Sequence, residues 1–531
     1  MMESPAPLPG PPDRRPPEYP PAGAIRTPPA YRIADAVSEA VIYFMVLFGP
    51  WAFGATQNWS IWTLNIAAYL LGGLLVTKWI IRLRTGYRPA RWGQSETGES
   101  VPGALDIGLA GRRWTAERRA TTLLAALTVA LLTYCFASAW NARAVYSFTE
   151  STFKYFDCIP WLPHSYDRDS SWFAFWTYLG MALAFWAARD WLLARTARER
   201  RMKRELPPTT PGLTAGEWVA QLPDRLRRLL WLLCVNGGLV GLEGILQRLS
   251  GVDKLLWLAQ PRFNDTADTQ FGPYAYRANA AQYLNLIWPV CLGFWWSLRR
   301  WERQSSRVSR RAGSSPHVVL VPCAILMAIS PVISTTRGGA AVAALQLLAV
   351  LAVLTFADRR GRWLRHLATL AVFALSIGLG FYLGWSKFEE RLANGTRDVS
   401  SGRADIYRNS VQMARDFPVF GSGPGSFPAL YQLYRHDFNQ DWEAYLHNDW
   451  MQTVVTFGGI GSAMVLLALL LAPAHWFLHR GIPVPWVMMA TIWIAMSGCL
   501  LHAFFDFPFQ IYSIAFLFLL LACVSFSARR A

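Results

Sequence analysis

Apolar blocks of about 20 residues recur along the chain, separated by short polar or Arg-rich stretches. Each block is long enough to cross a bilayer as a helix. The pattern predicts about twelve spans, at 36–56, 61–82, 120–140, 172–193, 229–249, 279–298, 317–334, 340–356, 367–385, 449–472, 484–504 and 509–527. The fold class is therefore an all-α polytopic membrane protein. Gly49-Pro50 predicts a kink in the first span. No sequence repeat is visible.

Loop charge sets the orientation. With the N-terminus inside, the inner segments carry roughly 32 Lys and Arg against roughly 14 in the outer ones. The runs Arg198–Arg204 and Arg299–Arg303 would both lie outside in the flipped arrangement. Both termini are thus expected in the cytoplasm. Three long loops, 141–171, 250–278 and 386–448, then face the outside. In the largest, Arg403 to Phe417 reads as a helix with Ile406, Val411 and Met413 apolar; Pro418 ends it, and Gly421-Ser422-Gly423-Pro424-Gly425 turns the chain. An aromatic and acidic segment follows from Tyr431 to His447.

Composition sharpens this picture. The 531 residues are 53% hydrophobic and include 26 Trp, 30 Phe and 19 Tyr, yet 16% are charged. Segregation of that charge between apolar blocks excludes a soluble enzyme, a disordered chain and a single-span receptor. The formal net charge of +17 is assigned to cytoplasmic loops facing anionic lipid. The basic runs carry no nucleic-acid motif, so no nucleic-acid partner is expected. Seven Cys, without a CxxC or a Cys/His cluster, indicate neither a disulfide framework nor a zinc site. Eleven Pro in the first 30 residues read as an extended cytoplasmic tail rather than a signal peptide. The domain reading is a disordered tail over 1–34, a six-span region over 35–316, and a C-terminal region over 317–531. That last region holds the chemistry-bearing part, at about 320–470, with the loop 386–448.

A few polar residues need a reason. Arg337, in Ser334-Thr335-Thr336-Arg337-Gly338-Gly339, lies between two spans with almost no loop. Such an Arg snorkels to lipid phosphate or meets an anionic ligand, and Gly338 lets backbone come close to one. Arg403 opens the loop helix, where guanidinium and helix N–H groups favour phosphate oxygens; its other reading is a solvated surface Arg. His447, in His447-Asn448-Asp449-Trp450, sits where the large loop re-enters the membrane. It is either a general base or a helix-start His bonded to its neighbour. Arg277 and Asn279 start the sixth span and either cap it or line the same cavity. The Gly421–Gly425 run, with Gly423 at its centre, is a tight turn supporting the site loop and not a nucleotide loop, since no strand precedes it and Pro424 interrupts it. Asp167-Arg168-Asp169 matches a metal–diphosphate pattern that arises easily by chance, and no metal is assigned to it.

In this order and spacing, the segments Arg277–Leu284, Ser334–Gly339, Ser401-Gly402-Arg403, Gly421–Phe427, His447–Trp450 and Phe457–Gly461 resemble the O-antigen ligase / O-antigen polymerase superfamily of bacterial envelope glycosyltransferases. The resemblance covers about residues 270–470; the N-terminal half matches by hydropathy alone. It implies a helical fold related to the lipid-dependent (GT-C-like) glycosyltransferases. It also implies metal-independent transfer of a glycan from undecaprenyl diphosphate to an acceptor hydroxyl on the periplasmic face of the inner membrane. Arg337, Arg403 and His447 match the family's essential residues, although Thr336 stands where many relatives have Ser. Arg277, Asn279, Gly338, Gly423 and Asn448 are the expected substrate-binding positions. No cofactor is implied beyond the lipid-linked donor. The acceptor stays open among lipid A core, a growing glycan and protein. A different class, a transporter for the lipid-linked glycan, would place polar residues near mid-bilayer; here they crowd the outer face.

Overall fold

The computed structural model describes residues 27–92, 107–205, 222–305, 316–357, 398–436, 442–478 and 481–530. The helices are α1 (Pro29–Trp51), α2 (Asn58–Thr85), α3 (Ile107–Trp140), α4 (Arg168–Leu193), α5 (Ala197–Glu205), α6 (Asp224–Ser250), α7 (Arg277–Ser305), α8 (Leu320–Ile333), α9 (Arg337–Ala357), α10 (Asp398–Asp416), α11 (Phe427–Tyr431), α12 (Asp449–Leu471), α13 (Ala474–Leu478), α14 (Trp486–His502) and α15 (Tyr512–Ser527). Two short sheets accompany them: an antiparallel hairpin of β1 (Ala144–Ser147) and β2 (Thr152–Tyr155), and a parallel pair of β3 (Ile482–Val484) with β4 (Ala528–Arg530).

Eleven of the predicted spans coincide with a helix, and the ninth, 367–385, lies outside the described residues. Among the described residues, 7 helices are long and apolar enough to cross a membrane, with α14 and α15 as shorter apolar helices. The protein is thus an all-α polytopic membrane protein. Helix α1 starts at Pro29, inside the stretch expected to be tail, because Pro is well suited to the first helical turn. Pro50 falls in the last turn of α1, so the expected kink becomes the end of the helix at Trp51.

Helix α7 is buried along most of its length, with Tyr283, Trp288 and Phe294 fully enclosed, and packs against α6, α8, α9 and α14. Large apolar side chains such as Ile66, Leu348 and Leu470 point outward instead, as lipid contact requires. The 398–448 loop has its own small core of Ile406, Met413, Phe427, Leu430, Tyr431 and Leu446, closed by Val455 of α12. Val411 is not part of it and is 40% exposed. It lies five positions from Ile406, off the stripe that Ile406 and Met413 share at a spacing of seven.

At the end bearing the arginine runs, charges are buried between α1, α2, α4 and α6. Lys78 is fully enclosed, 3.0 Å from Asp190 and 3.5 Å from Asp35. Arg82 and Arg91 also meet Asp190, and Arg225 meets Asp35. Removing one partner strands the others in a low dielectric. Asp190→Asn is expected to cost about 3–5 kcal/mol, read as a lower melting temperature of the purified protein. The exposed control Asp169→Asn should leave it unchanged.

Candidate functional site

The opposite end, where the three long loops emerge, gathers the chemistry-bearing side chains. The turn Ser334–Thr336 between α8 and α9 is buried, with the Ser334 and Thr336 hydroxyls donating to the Pro331 carbonyl at 3.0 and 2.9 Å. Thr335 is held at φ 57, a strained value for a β-branched residue. Asn285 of α7 donates to the Gly339 carbonyl at 2.9 Å and ties the start of α9 to the core. Arg337 is the first residue of α9 and is exposed. Beside it, a Cβ on Gly338 would lie 2.5 Å from the Phe505 ring and 3.3 Å from His502 Nε2. Glycine here lets α9 approach the connection between α14 and α15.

That connection, 503–511, is the hub. Arg403 of α10 donates to the Phe505 carbonyl at 3.1 Å, and its other terminal nitrogen lies 3.5 Å from His447 Nδ1. The same Nδ1 is 3.5 Å from Asp506 Oδ1, and Asp506 Oδ2 is 3.9 Å from His502 Nε2. Asp506 is 4% exposed. His447 is itself left-handed, at φ 58, with its carbonyl accepting from the Tyr407 hydroxyl at 3.0 Å and its ring edge-on to Phe507 at 4.8 Å. Phe507 in turn stacks with Tyr445 and Tyr276. Burial raises the phenols of Tyr276, Tyr407 and Tyr445 above their ordinary range; for Tyr276, Asp506 adds to the rise while Arg403 opposes it. These rings therefore stay neutral beside the carboxylate.

Asn448 is the N-cap of α12, its side chain accepting from the Met451 N–H at 3.0 Å. Asp449, also buried, accepts from the Phe509 N–H at 2.7 Å and from Gln510 at 2.8 Å, which fastens the start of α12 to the hub. With Nδ1 on the side of Asp506, Nε2 lies across the ring from the nitrogen that faces the carboxylate.

The predicted residues thus divide. Arg403 and His447 are in contact, and Gly338, next to Arg337, packs against the same hub. Arg277 instead meets Asp268, through the Asp268 carbonyl and a 3.9 Å ion pair. Asn279 is buried at the start of α7, and its side-chain oxygen has no hydrogen-bond partner among the described residues. Gly423, at φ 102, packs on Ser165, and its N–H donates to the Thr456 carbonyl at 3.0 Å. The turn it belongs to locks onto a break in α12 at Gly458, φ 61, where the backbones of Gly421 and Gly458 approach too closely for any Cβ. Asp167 is a buried residue at the N-cap of α4 that accepts from Ser170 at 2.6 Å; burial raises its carboxyl pKa, with the Ser170 bond opposing. Among the described residues, no three His, Cys, Asp or Glu side chains converge as metal ligands.

Sequence reasoning missed Asp506 and gave His502 no role. The available signal was a histidine and a carboxylate four residues apart, His502-Ala503-Phe504-Phe505-Asp506, in the short turn joining the last two spans.

Fold and site together define a helical membrane protein with an Arg–His–Asp cluster at one end. Residues 322–466, about a quarter of the chain, match the family model described as O-antigen ligase. This segment contains Arg337, Arg403 and His447, while Asp506 lies beyond it. No curated protein matches the chain.

Proposed function

We propose that the protein is a glycosyltransferase of the bacterial inner membrane. It moves a glycan from undecaprenyl diphosphate to an acceptor hydroxyl on the periplasmic face, as an O-antigen ligase does. The observation that carries this reading is the contact of Arg403, His447 and Asp506 at one hub, with the Arg337–Gly338 turn packed against it. In this reading the chain has twelve spans in a GT-C-like arrangement, both termini are cytoplasmic, and the catalytic part lies at about 320–470.

The chemistry follows from charge and proton flow. A diphosphate headgroup resides at the membrane surface, the depth of a short turn between spans. As the glycosidic bond to phosphate breaks, negative charge grows on the diphosphate, and the guanidinium groups of Arg337 and Arg403 offset it through paired N–H donors. His447 Nε2 takes the proton of the attacking hydroxyl, and Asp506 orients the ring through Nδ1 and offsets the imidazolium that forms. The hydroxyl oxygen bonds to the anomeric carbon as the diphosphate departs, so the anomeric configuration inverts. Arg277 and Asn279 belong to the wall of the donor cavity, and Asn448 fixes the backbone that presents His447.

The test is purified protein in nanodiscs with a lipid-diphosphate glycan and, separately, lipid A core, a glycan and a protein acceptor, in the presence of EDTA. Mass spectrometry is expected to detect a new glycosidic bond to one acceptor, and which one separates ligase, polymerase and protein O-glycosyltransferase. Movement of labelled donor across the bilayer with no bond formed would instead identify a transporter.

A further inference from the structure

The loop between α3 and α4 forms a hairpin for which the chemistry above has no use. In β1 and β2 the strand alternation puts Ala144, Tyr146, Phe153 and Tyr155 on one face, with Tyr146 paired to Phe153 and Ala144 to Tyr155. Tyr146 packs edge-on against Phe148 and Phe153, both at 5.0 Å. Trp442, from the large loop, joins them at 5.5 Å from Tyr146 and 5.4 Å from Phe148. The cluster is open: Phe148 is 69% exposed, Tyr155 61% and Trp442 41%. Contiguous exposed rings of this kind mark a contact surface.

Three observations point to what lies on it. First, Trp442 precedes His447 by five residues, so its backbone lies within about 18 Å of the proposed base. Second, the hairpin is fixed to the same frame. Arg143 N–H donates to the Ser165 carbonyl at 2.8 Å, and Tyr166 N–H donates at 3.0 Å to the carbonyl of Ser422, in the turn that locks onto α12. Third, the charged residues of the hairpin are Glu150 and Lys154, which pair with each other at 3.0 Å. Within residues 144–155 the charges therefore balance, which gives these strands no cationic excess to hold anionic headgroups. A sugar ring has a C–H face for an aromatic ring and a rim of hydroxyls for polar neighbours such as the Tyr155 hydroxyl.

We infer that this aromatic platform is a saccharide-binding subsite, holding the glycan chain a few sugar units away from the bond being made. The inference rests on the proposed transfer reaction for its substrate class, but binding can be read without turnover. The experiment uses the full chain in nanodiscs, labelled with 5-fluorotryptophan, with the Trp442 resonance assigned through Trp442→Phe. The probe is the oligosaccharide released by mild acid from the lipid-linked glycan of the source cells, free of lipid and diphosphate. A saturable shift of the Trp442 resonance is expected, with affinity weakened about tenfold by Phe148→Ala, an exposed change that leaves melting unaltered. The shift should persist in His447→Ala. Absence of a saturable shift overturns the inference, as does a shift indifferent to Phe148→Ala. Broadening of Trp442 by spin-labelled headgroups without a saccharide response would assign the platform to the lipid surface. If His447→Ala keeps full transfer while the shift persists, the catalytic reading fails and the subsite stands.

Discussion

His447→Ala is expected to lower glycan transfer by about 10²–10⁴-fold, the usual contribution of a positioned general base, while donor affinity stays within about twofold. The asymmetry follows from position. His447 lies on the loop side of the hub, braced by Phe507 and by the Tyr407 hydroxyl on its carbonyl, so its loss removes a proton acceptor without removing a phosphate ligand. Asp506→Asn should reproduce part of the defect. The asparagine keeps the shape but loses the charge that offsets an imidazolium, so kcat should fall with little change in KM. Single-turnover assays with pre-bound donor distinguish the outcomes. If His447→Ala reduces donor binding and leaves the chemical step intact, His447 is a binding residue and not the base.

The second large effect is expected at the guanidinium groups. Arg403→Lys should lower turnover by about 10²-fold or more, because an ammonium replaces the planar fork with donors on one nitrogen, which cannot hold the Phe505 carbonyl and span to a phosphate oxygen in the same geometry. Arg337→Lys, at the first residue of α9, should fail similarly. The double variant should lose little more than the worse single one if both arginines act on one diphosphate. Fully multiplicative losses would place them on separate ligands. Transfer at the normal level by a stably expressed Arg337→Ala variant would remove Arg337 from the anion site.

Most of the architecture is readable from hydropathy, because a bilayer demands long apolar helices and basic residues mark their ends. The hub is readable only in part. Arg403 and His447 stand out as polar residues next to spans, and both lie in the large loop. Asp506 is hidden, since its turn is so short that it passes as the gap between two spans. Its partners come from residues about 60 and 100 positions earlier. The glycine-rich run around Gly423 is legible as a turn supporting the site loop, and its positive φ values serve the close backbone approach to Ser165, α4 and α12. The hairpin escapes hydropathy altogether, because four-residue strands leave no periodic signal in so aromatic a loop.

The buried Lys78 carries a consequence for biogenesis. Asp190 lies more than a hundred residues downstream of it, so α2 enters the bilayer before that carboxylate has been synthesised. Until α4 arrives, the ammonium has, among the described residues, Asp35 of α1 as its carboxylate partner and must otherwise reach along its stem toward water. The first two helices are therefore committed to the membrane in an unfinished state, and insertion of the fourth completes them.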